Sequence, residues 1–148
     1  MKLAPVLVAT IGLAVCGSRS LGAQQPAAPS STASRSVWDG VYTAAQARSG
    51  ALTSGLCTSC HGDSFEGDRG PALTGADFIG RWDGRTVGDL FELIRLTMPD
   101  DDPGALTRQQ YADLVAYILS TNKFPPGKTE LGRDVAVLKE IRFEASRP

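Results

Sequence analysis

The sequence predicts an all-α fold of three to four helices, and three observations carry that prediction. Apolar residues recur at helical spacing in three separate segments. Two of those segments open on capping-box signatures, Thr86 with Asp89 and Thr107 with Gln110. Both then run into proline-bearing stops, Met98-Pro99 and "NKFPPG".

In chain order, the N-terminus reads as an export signal. Lys2 supplies a positive start, an apolar run spans Leu3 to Val15, and "SLGAQQ" offers a small-residue cleavage site after Ala23. That run is short of the roughly 20 residues a membrane helix needs, so a cleaved signal over 1–23 is favoured over an uncleaved anchor. Lipidation at Cys16 is disfavoured because Val15 is bulkier than the small residue expected before it. The folded part is expected outside the cytoplasm, in the periplasm, with no stable membrane insertion after cleavage.

The next stretch, "QQPAAPSSTASRS" over 24–36, has no apolar period and reads as a disordered leader. Val37, Val41, Tyr42 and Ala45 then recur at helical spacing and predict a first helix over 37–46, ending near Ser49-Gly50. A short helical turn carries the cysteine pair. Residues 62–85 are Gly-rich, with turn signals at "GDRGP" and "DGR", and read as a loop. Leu73, Phe78, Ile79 and Trp82 within it imply that the loop wraps something apolar. The helix opened by Thr86 carries Leu90, Phe91, Leu93 and Ile94. The helix from Arg108 to Thr121 shows Tyr111, Leu114, Val115, Ile118 and Leu119 on one face. The segment from Lys128 fits a helix or a short extended piece equally.

Composition excludes some functions. With 42% hydrophobic and 21% charged residues the chain is an ordinary globular one of a single domain. The net charge of −1 gives no basic field for nucleic acid or an anionic membrane. Loss of 1–23 would remove Lys2 and Arg19 from the 15 basic residues, leaving 13 against 16 acidic ones. It would also remove Cys16.

Residues 56–62 read "LCTSCHG". In C-x-x-C-H two thiols one helical turn apart can each add to a vinyl group of a haem. The histidine directly behind them then sits as an axial ligand of the iron. Three other readings compete. Structural zinc needs four ligands, and no other cysteine or histidine remains after export. A thioredoxin-like pair wants βαβ surroundings, and these are helical. A plain disulfide suits the oxidising compartment. Covalent haem on Cys57, Cys60 and His61 is the favoured reading.

A closed iron then needs a second axial ligand. Met98 is the sole methionine after loss of Met1, and it stands at a helix end before Pro99, which fixes the chain direction. A thioether favours ferrous iron and raises the potential. The competing reading makes Met98 a core gap-filler.

On "CTSCHG", "GPALTGADF", Trp82, "LTMP" and "LTRQQYADLVAYILSTNKFPPG", the chain resembles the class I c-type cytochromes. Within them it looks most like small cytochromes c associated with quinone-dependent alcohol dehydrogenases. The resemblance implies a small cytochrome c fold over 37–127, wrapped around one covalently bound haem c, with 128–148 as a C-terminal extension. It implies thioethers on Cys57 and Cys60 and axial ligation by His61 and Met98. It also implies that the carbonyl of Pro71 accepts from the other ring nitrogen of His61. Trp82, Arg81 and Arg85 become candidate propionate partners, against packing or solvation. Leu73, Phe78, Leu90, Phe91 and Ile94 become candidate pocket residues. Asp100-Asp101-Asp102 is a solvated turn or a docking patch for a basic partner.

No general acid, base or nucleophile is assembled, so the reading is an electron carrier and not an enzyme. Its partners would be a dehydrogenase donor and an oxidase or other cytochrome acceptor. A gas-binding haem sensor is the rival if Met98 leaves the iron free.

Overall fold

In the computed structural model, residues 35–148 are described. The expected signal over 1–23, its cleavage site and the leader up to residue 34 lie outside the described residues.

Among the described residues six α-helices follow in order: α1 (Ala44–Thr53), α2 (Gly55–His61), α3 (Gly75–Trp82), α4 (Val87–Thr97), α5 (Arg108–Thr121) and α6 (Val135–Leu138). Two dipeptide strands, β1 (Arg35–Ser36) and β2 (Ile141–Arg142), pair in parallel. The fold is all-α, as expected. Among the described residues no helix is long and apolar enough to cross a membrane.

The two capping boxes work as read. The Thr86 hydroxyl accepts from Asp89 N–H, and the Asp89 carboxylate accepts from Thr86 N–H. The Thr86 hydroxyl donates to that same carboxylate and holds it below the usual carboxylate range. At α5 the Thr107 hydroxyl accepts from Gln110 N–H, and the Gln110 amide oxygen accepts from Thr107 N–H. Both helices keep the bounds the sequence predicts.

Two elements differ from the prediction. The first helix does not run over 37–46. Val37–Asp39 form one 3₁₀ turn, and Gly40 takes a left-handed φ of 67°, which ends it. Thr43 then caps α1, which continues through Gly50 to Thr53. Gly50 is thus no stop. A Cβ placed there would lie 1.9 Å from the Asp113 carbonyl oxygen, so its bareness lets α1 lie against α5. The second difference is in the expected loop over 62–85, where residues 75–82 are helical. Gly75 and Gly84, both at positive φ, bracket α3, and Phe78 and Trp82 point one turn apart into the core.

The core gathers Val37, Val41, Tyr42, Phe78, Val87, Leu90, Phe91 and the inner face of α5. The tail belongs to the same compact unit. Leu131, Leu138, Ile141 and Phe143 are all buried, and Lys139 pairs with Glu92 of α4 at 2.8 Å. Arg35 and Ser36, at the end of the expected leader, pair with Ile141 and Arg142.

Candidate haem site

One cavity of about 760 Å³ opens on the surface and takes residues from α2, the loop after it, α3, α4 and α5. It is of the size that holds a cofactor, within the usual range of about 300–1,000 Å³. Cys57, Cys60, His61, Pro71, Trp82 and Met98 all line it.

The α2 helix places Cys57, Cys60 and His61 within one and a half turns, so all three reach the same cavity. Both cysteines are free thiols and half-buried. Burial, and then the neighbouring Cys60, push the Cys57 thiol up. No third partner joins them. Among the described residues no group of three His, Cys, Asp or Glu side chains could hold a metal ion. The neighbouring elements are helical, unlike the βαβ frame of a thioredoxin-like pair.

His61 is buried. Its Nδ1 lies 2.6 Å from the Pro71 carbonyl oxygen. A carbonyl can only accept, so Nδ1 carries the proton and Nε2 keeps its lone pair. The loop can approach this closely because of Gly70. A Cβ there would meet the ring at 2.9 Å from Cε1 and 3.0 Å from Nδ1. Gly70 N–H also donates to the Cys60 carbonyl at 2.7 Å, and Gly67 N–H to the His61 carbonyl at 2.7 Å. These bonds tie the loop to the end of α2 and hold Gly70 and Pro71 against the imidazole.

Met98 caps the C-terminal end of α4 in extended conformation, before a cis Pro99. Its N–H donates to the Ile94 carbonyl at 2.8 Å. Its own carbonyl accepts from the buried Tyr111 hydroxyl at 3.0 Å. The side chain packs on the core and lines the cavity.

Leu73, Leu90 and Ile94 line the cavity as expected, whereas Phe78 and Phe91 lie in the core behind it. Arg81 lines it, and Arg85 does not. The Arg85 guanidinium instead lies over the Trp82 ring, 5.2 Å from its centroid. Trp82 is both wall and core: it lines the cavity and packs on Phe78 and Phe143. Asp100 and Asp101 border the opening. Exposed Leu56 and Leu93 also line the cavity, so its mouth is partly apolar.

Sequence reasoning missed four contributors. Leu114 and Ile118 of α5 form part of the wall; their spacing marked a buried face without saying what it faced. Tyr111 counted as another residue of that face. Gly70 stood in a glycine-rich run whose members are alike in sequence.

The residues fit a covalent haem on chemical grounds. The cavity is largely apolar, two thiols and one imidazole with a free nitrogen share a wall, and a thioether joins them from another element. Residues 44–118, half of the chain, match the family described as cytochrome C oxidase, cbb3-type, subunit III. No curated protein and no solved structure matches.

Proposed function

Since the chain belongs to the cytochrome C oxidase, cbb3-type, subunit III family, and so is an electron-transfer protein with covalently bound haem c, we propose how this chain holds the haem and whom it serves. Cys57 and Cys60 would form the thioethers, and His61 Nε2 and Met98 Sδ would hold the iron. The haem supplies a single-electron couple at iron. Everything else falls to the polypeptide. Pro71 holds the His61 proton on Nδ1 and strengthens the donor character of Nε2. Tyr111 and Pro99 fix the backbone on either side of the Met98 carbonyl. Leu73, Leu90, Ile94, Leu114 and Ile118 exclude water, and Trp82 and Arg81, which share the cavity wall, would hold the propionates. Fixed ligands in a dry pocket reorganise little on redox change.

The single observation that carries this reading is the 2.6 Å contact from His61 Nδ1 to the Pro71 carbonyl, in a cavity shared with both thiols and Met98. The protein works in the periplasm as a carrier between a dehydrogenase and the respiratory chain. Similarity of the α5 block to small cytochromes of quinone-dependent alcohol dehydrogenases supports that class of donor. The family's name refers to an oxidase, which supports a terminal oxidase as acceptor. Leu56 and Leu93 at the mouth suit a small, transient interface, under about 1,200 Å².

Expression with a haem-ligation system, followed by spectra of both oxidation states, tests the assignment. The expected protein keeps its haem after denaturation, shows a methionine-to-iron charge-transfer band, and resists carbon monoxide when reduced. Met98→Ala should lose the band and bind carbon monoxide readily. Rapid binding by the unmodified protein would favour a gas sensor, and an unchanged Met98→Ala spectrum would remove Met98 from the iron.

A further inference from the structure

The tail lies beyond the family-matched segment, yet it holds the Trp82 wall of the cavity. Phe143 is buried among three aromatic rings, with centroids 5.8 Å from Trp82, 5.9 Å from Phe78 and 6.1 Å from Phe124. Its backbone brackets the turn after α3. Phe143 N–H donates to the Arg85 carbonyl at 2.9 Å, and Gly84 N–H donates to the Phe143 carbonyl at 2.9 Å. Arg142 Nη2 donates to the Gly84 carbonyl at 3.0 Å, and Ala145 N–H to the Asp83 carboxylate at 2.9 Å. On the other side, the Trp38 indole N–H donates to the Glu144 carbonyl at 2.9 Å, and the Ser36 hydroxyl donates to the Glu144 carboxylate. Residues 83–85 are thus tied to 142, 143 and 145 directly after Trp82. No residue of this strap lines the cavity.

We infer that residues 141–145 form a positioning strap for the cofactor, and that Phe143 is the residue through which it sets the Trp82 wall. The inference rests on the reading that haem c occupies this cavity. Oxidised haem carries one more positive charge than reduced haem, so water near the iron favours the oxidised form, and burial is one of the protein's levers on potential. Removing the Phe143 ring leaves a void beside Trp82. The indole, with Arg85 over it, can then tilt away from the cavity and admit water. The strap therefore keeps the potential high without touching the haem.

The test compares haem-loaded Phe143→Ala, Phe143→Leu and Leu131→Ala proteins. Leu131 is a buried control in the same tail, bonded through its backbone to Gln46 on α1. Phe143→Ala should keep its covalent haem, lower the midpoint potential, and speed exchange of the Gly84 amide proton roughly tenfold. Phe143→Leu should shift both in the same direction by less. Leu131→Ala should lose thermal stability with its potential unchanged. An unshifted potential in Phe143→Ala overturns the inference, as does an equal shift in Leu131→Ala. If Phe143→Ala does not accumulate, Phe143→Leu decides by the same two readouts. If the unmodified chain takes no covalent haem, the functional reading fails instead, while Gly84 exchange still reports on the strap.

Discussion

Two backbone carbonyls decide how the proposed ligands are held, and each has one dedicated donor. The Pro71 carbonyl accepts from His61 Nδ1–H at 2.6 Å, and the Met98 carbonyl accepts from the Tyr111 hydroxyl at 3.0 Å. The first was open to reading by resemblance, since "GP" follows "CTSCHG" in the expected order. The second was not, because a helical period shows that Tyr111 is buried and says nothing of where its hydroxyl ends. Tyr111→Phe keeps the ring and strands the Met98 carbonyl. The expected cost is about 0.5–1.5 kcal/mol, the net value of a hydrogen bond, read by chemical denaturation. The Met98 loop should loosen with it, so carbon monoxide should bind the reduced protein faster than in the unmodified chain. An unchanged rate would mean that the loop is held elsewhere. Gly70 belongs to the same scale: the site needs a residue without Cβ beside the imidazole, and in sequence it is one glycine among several.

At the scale of elements, α4 and α5 were legible to their ends because their caps are local chemistry, each decided within four residues. The elements that were misread depend on distant partners. Gly50 ends a helix by local preference, but here it sits inside α1 because α5 runs across it. Residues 75–82 look like loop because glycines flank them, yet Phe78 and Trp82 find the core and make the short helix worthwhile. Gly50→Ala separates the two explanations by sign. In an exposed helix interior, alanine is favoured over glycine by about 0.8–1 kcal/mol. Against the Asp113 carbonyl, whose oxygen would lie 1.9 Å from the new carbon, α1 and α5 must part. Overpacking of this kind costs about 1–3 kcal/mol or more. Chemical denaturation of the haem-loaded protein should therefore show destabilisation, and a gain in stability would show that the crossing is not close.

For the whole molecule, the question is where the folded unit ends. The family match stops at residue 118, and the apolar periods of the sequence stop at "NKFPPG". Neither reaches the tail, whose buried residues Leu131, Leu138, Ile141 and Phe143 alternate as a strand only at the last two, either side of exposed Arg142. They are irregularly spaced because each enters a different part of the surface: Leu131 near α1, Leu138 beside α4, Phe143 behind Trp82. Fully burying such a side chain contributes about 1.5–3 kcal/mol. Four of them together rival the net stability of a typical domain, about 5–15 kcal/mol. A haem-loaded chain ending at Gly127 should therefore melt tens of degrees below the full-length protein, or lose its cooperative transition, since 1 kcal/mol moves the midpoint of so small a domain by about 4–8 °C. Thermal circular dichroism of the two chains decides the point. Midpoints within a few degrees of one another would place the end of the folded unit at residue 127 and make the tail a passenger on it.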